Sequence, residues 1–255
     1  MMIFKNSLRL MRGPTSIGLI TSVGLGAQPL LNDRLTGDLG AAAYVTRSVV
    51  RGKDATTVAL PYAYLDKGRF FARVDTLGIK TVPLGNGYLE LAGRLSFEGF
   101  KADVPALAGI GNRSNPVPLG LGTYQETPVG AFFLNAFHDT TSRGALLEAS
   151  YATELRWGRN VLYPQLGLER RSARYVNHLY GVSSAEAIAS GFAAYAPGAS
   201  VSPVLGLAVQ VPVSGPWALN LQWRRKWLDS AVRDSPLVSA RMQDSGFMAL
   251  TATFR

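Results

Sequence analysis

The residues most capable of catalysis lie in one short stretch, which begins at His138 and ends at Ser142. A serine nucleophile needs a histidine as its base and a third polar group that orients the base. Asp139 supplies such a group, so a lipid-hydrolysing site is one hypothesis. Residues 139–142 are also typical of a polar loop tip, and no His-x-Ser pattern places nucleophile and base on one strand face. We favour the loop interpretation and predict no catalytic residues and no enzyme activity.

Metal and cofactor sites are not indicated by the residue types and their spacing. The chain has two histidines, His138 and His178, far apart in sequence, and it has no cysteine. A transition-metal site would need more such ligands close together, and disulfides are excluded. Asp33, Asp38 and Asp103 are too scattered for a calcium loop, which gathers its oxygens within about a dozen residues. We expect no metal and no cofactor.

A second set of candidates consists of charged side chains that alternate with apolar ones along predicted strands. In residues 88–98, for example, leucines and a phenylalanine alternate with glutamates and an arginine. Charged groups on one face suit a wet interior with internal pairing and are costly against lipid. Such a set could form a blocked, salt-bridged interior or a selectivity ring. The residues expected to line the interior are Glu90, Arg94, Glu148, Glu154, Arg156, Arg224 and Lys226.

The elements that must position these residues are clearest in the last third of the chain. Residues 217–228 alternate tryptophan and leucine with polar or small side chains, and only Arg225 breaks the apolar face. Residues 201–211 and 247–254 alternate in the same way. A tilted strand that crosses a bilayer needs about 9–11 residues. The pattern predicts apolar side chains toward lipid and polar ones toward the interior, with the tryptophans and tyrosines facing lipid or the interfacial girdles.

The composition narrows the class of protein. The chain is 47% hydrophobic and 17% charged, a low charged fraction for a soluble protein. Its apolar runs are shorter than the roughly 18 residues of a membrane helix. Only helices and closed sheets satisfy their backbone in lipid, so the chain is predicted to be an all-β, antiparallel transmembrane β-barrel. A soluble sandwich or lipocalin-like barrel would place glycine, alanine, serine and threonine outside, which disfavours it.

The net charge of +9 does not indicate a nucleic-acid partner. Nucleic-acid binding would need a clustered basic stripe with aromatic side chains on one face. The only tight triplet, Arg224-Arg225-Lys226, is split between two faces by strand alternation. The basic residues are instead expected to line the lumen and to contact the anionic groups of outer-membrane lipid and lipopolysaccharide.

The chain divides into three parts. Residues 1–27 are predicted to be a signal peptide, because a basic segment precedes an apolar one and small residues near Ala27 offer a cleavage site. Residues 28–38 form an N-terminal segment, and residues 39–255 form the barrel. Export through the inner membrane to the outer membrane follows from this organisation.

Eleven strands can be counted in the alternation pattern. Single-chain bacterial barrels use even numbers, so we expect twelve strands, with ten as the alternative, and place the uncertainty in residues 28–56. Short turns alternate with long connections, of which the longest is residues 172–198. In that connection, Ser183 and Glu186 form a capping-box pattern that predicts a short helix, Ser184–Ser190. The helix could close the lumen or simply pack the loop down.

Several motifs resemble the MipA/OmpV family of outer-membrane barrels. The segment that contains Tyr180-Gly181-Val182 and the segment from Tyr195 to Gly198 are similar to a loop of that family. Asp234-Ser235-Pro236 is similar to its Asp-Ser-Pro segment before the last strand. Two weaker similarities lie at residues 60–64 and 107–111. The resemblance covers nearly the whole chain after the predicted signal peptide.

The resemblance implies a non-enzymatic barrel with one of several roles. One member type is described as a scaffold that brings a lytic murein transglycosylase together with a murein synthase. Other members are described as porin-like or adhesive. The scaffold role is the favoured expectation, a small channel or adhesin is the alternative, and a rim lipid hydrolase at His138 comes last.

Overall fold

The computed structural model describes residue 31 and residues 33–254 as one closed antiparallel β-barrel. Within this part of the chain, each strand pairs with the strands beside it in the sheet, and the pairing of β10 with β11 closes the barrel. The strands are β1 (Thr36–Thr46), β2 (Thr56–Lys67), β3 (Phe70–Arg73), β4 (Thr76–Leu84), β5 (Gly87–Arg94), β6 (Pro118–Thr127), β7 (Gly130–Asp139), β8 (Ala145–Ala152), β9 (Leu155–Trp157), β10 (Asn160–Arg171), β11 (Ser200–Pro212), β12 (Trp217–Trp227) and β13 (Met242–Phe254).

The barrel has twelve strand positions, as predicted. β8 and β9 both pair with β10 and are two pieces of one interrupted strand. The predicted location of the missing strand was wrong, because the uncounted strand is β4 and not part of residues 28–56. Residues 70–77 do not form a single strand, because the chain reverses at Val74 and Asp75 between β3 and β4. No glycine marks this turn, and Val74 takes a positive φ of 57°, which β-branched residues rarely adopt.

The side chains alternate between lipid and lumen as the sequence predicted. On β12, Leu221 and Trp223 point outward and are 39% and 40% exposed, whereas Asn220 and Gln222 are buried in the interior. Apolar side chains recur on the outside of the other strands as well, for example Leu91 on β5 and Leu250 on β13. An apolar exterior around a polar interior is the pattern of a barrel that sits in a membrane.

The two ends of the barrel differ in the length of their connections. One end carries the start of β1, the end of β13 and short turns, such as Gly68-Arg69 and Gly158-Arg159. The other end carries the long connections, residues 95–117, 172–199 and 228–241. Short periplasmic turns and long external loops are the usual asymmetry of such barrels. Among the described residues, no helix is long and apolar enough to cross a membrane.

The long connections contain a 3-10 helix, Pro105–Leu107, and three α-helices, α1 (Ala173–Tyr180), α2 (Ser184–Ser190) and α3 (Ser230–Arg233). The predicted helix Ser184–Ser190 is confirmed with its full capping box. Together these connections form a hydrophobic cap over the external mouth, with fully buried side chains at its centre. The buried residues of this cap include Leu107, Tyr175, Val176, Leu179, Val232 and Leu237.

The end of the lumen nearest the short turns contains aromatic side chains. Tyr124 and Phe133 lie with their ring centroids 4.7 Å apart, and Tyr163 packs in the same apolar cluster. Tyr62 is fully buried further up, with its ring centroid 6.0 Å from that of Phe247. The expectation that the tyrosines face lipid is therefore wrong for these interior residues. The four tryptophans do lie on the outer surface.

Candidate functional site

A group of charged side chains occupies the external half of the lumen, directly beneath the cap. We call it the lumenal charge cluster. Alternation along β5, β8, β10 and β12 turns these side chains inward, and closure of the barrel brings the four strands around one space. The members of the cluster are Arg94, Glu98, Glu148, Glu169, Arg171, Arg224 and Lys226.

Glu169 is the centre of this cluster. Its carboxylate lies 2.8 Å from Nε of Arg171, 3.1 Å from Nζ of Lys226 and 3.8 Å from an Nη of Arg224. Arg171 and Lys226 also approach the second carboxylate, that of Glu98, which accepts a hydrogen bond from the Tyr175 hydroxyl at 2.8 Å. Tyr175 belongs to α1, so the cluster joins the barrel wall to the cap.

A second ion pair extends the cluster across the lumen. Arg94 donates to the carboxylate of Glu148, and its guanidinium lies 4.9 Å from the ring centroid of Phe137. Arg94, Glu169, Arg171 and Lys226 each have 8% or less of the side chain exposed. Charges this far from water persist only when they are paired. The cluster therefore depends on its complete set of partners.

The structure brings only part of the predicted interior set together. Arg94, Glu148, Arg224 and Lys226 lie in the lumenal charge cluster. Glu90 also faces the lumen but pairs with Arg73, through two hydrogen bonds of 2.7 and 2.8 Å.

The two other predicted residues lie apart from the cluster, at the short-turn end. Arg156 and Glu154 form an ion pair of 2.6 Å there, and Arg156 is half exposed. Glu154 is only 13% exposed, and Arg156 lies opposite the inward-facing Val161 of β10, so both belong to the interior face at the short-turn end.

Sequence reasoning missed Glu169 and Arg171, the two most connected members of the cluster. The signal was present in β10, where Gln165, Glu169 and Arg171 share one buried face while Leu166 and Leu168 lie outside. The same alternation that identified Glu148 would have found them. The contact of Arg171 with Glu98, 73 residues away in the chain, needed the closed barrel.

The motif residues that resemble the family lie in the cap and hold its loops together. Val182 and Tyr195 exchange two backbone hydrogen bonds of 2.9 Å, and the Ser235 hydroxyl donates to the Tyr180 carbonyl at 2.6 Å. The Pro236 carbonyl accepts a hydrogen bond from Arg51 at 3.2 Å. These contacts join the loops after β1, β10 and β12.

The structure explains why one of the two motif glycines must be glycine, and it places the motif aspartate on the surface. A Cβ at Gly181 would lie 2.6 Å from the Asn177 carbonyl oxygen, so only glycine fits there. Asp234 is exposed and pairs with Arg233 at 3.3 Å. Gly198 has open space around its Cα, and nothing in the structure explains a need for glycine at that position.

Glu186 links α2 to the neighbouring long loop. Its carboxylate accepts from the backbone amides of Gly111 at 2.9 Å and Ser183 at 3.0 Å, and it lies 2.8 Å from Arg113. Burial acts to raise the pKa of this carboxyl, but the hydrogen bonds from Gly111, Ser183 and Arg113 outweigh it and lower the pKa to about 2. The cap is therefore held together by an ionised glutamate.

This lowered pKa makes the order of the cap depend on pH. Because the folded-state pKa lies below the unfolded value of about 4.3, the Glu186 contact stabilises the cap above that value and is lost as pH falls toward about 2. The protection factors of the amides in residues 172–199, which correct each exchange rate for its intrinsic dependence on pH, should fall as pH falls between those limits. In Glu186→Gln the protection factors should be lower at neutral pH and less dependent on pH. Identical profiles for the two proteins would contradict the role of Glu186.

The structure separates His138 from the two other side chains of the hypothetical hydrolase site, Asp139 and Ser142. His138 faces outward on β7, whereas Asp139 faces inward and is fully buried. The Asp139 carboxylate accepts from the amides of Val117 and Ser142 and from the Ser142 hydroxyl, so it organises the loop tip. His178 contacts the Ser114 carbonyl at 2.9 Å, a loop contact. Within the described residues, no three potential metal ligands are grouped to hold an ion.

Comparison with known proteins agrees with this architecture. A family model described as "MltA-interacting protein MipA" matches residues 39–254. The chain is 26% identical over 223 residues to "Putative outer membrane protein YiaT" of Escherichia coli (strain K12), which covers 85% of this chain and 91% of that protein. It is 28% identical over 131 residues to "MltA-interacting protein" of the same strain, which covers 51% of this chain and 53% of that protein.

The family match spans all twelve strand positions except the first residues of β1, and it includes the cap. A closed barrel with an apolar exterior, together with relatives that are named as outer-membrane proteins, places the chain in the outer membrane. The chain belongs to the MipA family of outer-membrane β-barrel proteins.

Proposed function

We propose that this barrel is a non-enzymatic scaffold that binds periplasmic murein enzymes, namely a lytic murein transglycosylase and a murein synthase. The observation that carries the proposal is its similarity to a protein named for its interaction with MltA. The filled lumen supports a scaffold over an open pore, because the lumenal charge cluster and the interior aromatic residues both occupy the space that a solute would cross.

The surface that such enzymes would reach is the end with the short turns. Trp157 and Val129 are 73% and 68% exposed there, at the end of β9 and in the turn between β6 and β7 respectively. Arg156 and Arg159 flank the tryptophan. Tryptophan and arginine are the residues that most often dominate the energetics of protein interfaces. We propose this group as the docking surface and call it the turn patch.

The test is a binding experiment with the purified, detergent-solubilised barrel. The wild-type barrel should retain a lytic murein transglycosylase. The double variant Arg156→Glu/Trp157→Ala should bind this enzyme at least tenfold more weakly, since each hot-spot side chain contributes roughly 2 kcal/mol. The matched control is Ile188→Ala, an exposed position at the opposite end, which should bind as the wild type does. Recovery of neither murein enzyme after mild crosslinking would contradict the scaffold role.

A conductance measurement separates the scaffold from the channel alternative. The refolded barrel in a planar bilayer should be electrically silent, because paired buried charges and aromatic rings occupy its interior. Regular open steps from the wild-type protein would favour a porin-like role instead.

A further inference from the structure

The barrel wall is incomplete on its external side, between β2 and β5. The β3–β4 hairpin is short, and its tip at Val74 and Asp75 ends far below the cap. β3 pairs with only Tyr64–Lys67 of β2, and one further bond joins the Val74 amide to the Ala63 carbonyl. Among the described residues, 56–62 of β2 therefore have no strand partner on that side.

The opposite edge of the gap is the continuation of β5. The Leu95 amide donates a hydrogen bond to the Asp75 carbonyl at 2.8 Å. Beyond that bond, among the described residues, residues 96–98 have no partner strand on the side of the hairpin. Neighbouring strands lie about 4.8 Å apart, so β2 and β5 are separated by on the order of 14 Å above the hairpin tip.

The top of the gap is bridged by two loops. Nζ of Lys53 lies 2.6 Å from the Asp103 carboxylate, and a Cβ added at Gly52 would come within 2.8 Å of Ala106. The gap is thus framed on all four sides, by β2, the hairpin tip, the continuation of β5 and this bridge. We call it the lateral opening.

The edge formed by β2 is not suited to strand pairing. Alternation points the nitrogen of Pro61 the same way as the Ala63 carbonyl, into the lateral opening. Proline has no N–H, and its place in a sheet is an edge that faces no partner. At the base of the gap, Val74 holds a positive φ. Both features stabilise an interruption of the wall.

A cavity of about 330 Å³ lies directly behind the lateral opening. Residues from the frame line it, including Thr56, Leu60 and Asp75, and its inner wall is the lumenal charge cluster. Leu95 and Phe97 line its mouth while being 61% and 40% exposed on the outside of the barrel. A single space therefore connects the apolar outer surface with a charged interior.

Two residues in the wall of this cavity, Thr46 and Ser96, have buried hydroxyls without a hydrogen-bond partner among the described residues. Buried polar groups are normally satisfied, so the polar side of the cavity wall is incompletely paired. Arg224 is the least buried cation of the cluster, with its one carboxylate contact at 3.8 Å. The cluster holds four cations and three carboxylates, which favours an anion.

We propose that the lateral opening is a binding site for an anionic amphiphile from the outer half of the membrane. The acyl chain lies against Leu95 and Phe97 at the mouth, and the anionic head group enters the cavity toward Arg224. A volume of 330 Å³ accommodates a head group and a few methylene groups, so the remainder of the chain stays in lipid. This site is independent of the turn patch, which lies at the opposite end of the barrel.

The test is calorimetric titration of the barrel in a neutral maltoside detergent with dodecyl phosphate. Binding should be saturable and about tenfold or more tighter than that of dodecyltrimethylammonium, because one charge-assisted contact is worth roughly 1.5 kcal/mol or more. The substitution Arg224→Gln should weaken the binding of dodecyl phosphate by a similar factor. Leu95→Trp should abolish binding by obstructing the mouth.

The matched control is Leu91→Trp, which adds the same bulk to an outward leucine on β5 that is paired on both sides and lies away from the opening. It should bind as the wild type does, and the gel mobility of unheated samples verifies that each variant is folded. Equal effects of Leu95→Trp and Leu91→Trp would overturn the lateral route. Equal affinity for inorganic phosphate, or for the cationic amphiphile, would overturn the amphiphile assignment.

Discussion

Replacing Glu169 by glutamine is expected to lower the free energy of unfolding of the barrel by about 3–5 kcal/mol, the usual cost of removing one partner from a buried ion pair. Glutamine keeps the volume of the side chain but not its charge. Arg171 and Lys226 would then keep only Glu98 as a carboxylate partner, and Arg224 would lose its contact with Glu169. The physical cause of the loss is the incompletely compensated charge of the two buried cations, Arg171 and Lys226.

Urea unfolding of the refolded barrel, followed by tryptophan fluorescence, measures this change. The midpoint should fall while the slope stays constant, as expected for a change in stability alone. Asp234→Asn is the matched control, because it removes a carboxylate from an exposed pair with Arg233. Exposed pairs contribute about 0–1 kcal/mol. Equal midpoints for Glu169→Gln and the wild type would show that the cluster does not stabilise the barrel.

Replacing Leu179 by alanine is expected to open the external cap while the barrel remains folded. Leu179 is fully buried at the centre of the cap, and a buried leucine replaced by alanine costs about 2–5 kcal/mol. The strands are held together by their own backbone pairing around the closed barrel, so the loss should appear as local opening and not as global unfolding. Limited proteolysis within residues 172–199 should become much faster at an unchanged urea midpoint.

Ile188→Ala provides the control for this second experiment. Ile188 belongs to the neighbouring helix α2 and is 88% exposed, so removing the same kind of aliphatic group there should leave the rate of proteolysis unchanged. A matching acceleration in both variants would mean that the cap is already loose in the wild type. Loss of the barrel in Leu179→Ala would mean that cap and barrel unfold together.

Much of the architecture was predictable because strand alternation is a local property. Each residue's side of the strand follows from its parity, so Leu221 outside and Asn220 inside could be inferred from β12 alone. The same is true of the helix at Ser184–Ser190, because the capping box requires only Ser183 and Glu186, three residues apart.

The turn at Val74 and Asp75 was not predictable, because it contains neither glycine nor proline to indicate it. Valine in a left-handed conformation is disfavoured in isolation, and it persists here because the pairing of β3 with β2 and β4 holds it. The strand count was right for a different reason, namely that a closed antiparallel barrel needs an even number. The short hairpin and the lateral opening could be identified only from the pairing of β3 with β2 and β4.

The amino-acid sequence by itself determined the membrane-facing and interior faces of long strands such as β12 and the helix in the cap, because these depend on residues within a few positions of one another. The tertiary structure alone decided which interior charges meet, as with Glu98 and Arg171 or Lys226 and Glu169. It also decided where the wall is interrupted. Both depend on closure of the sheet, which sets the register between strands that are distant in the chain.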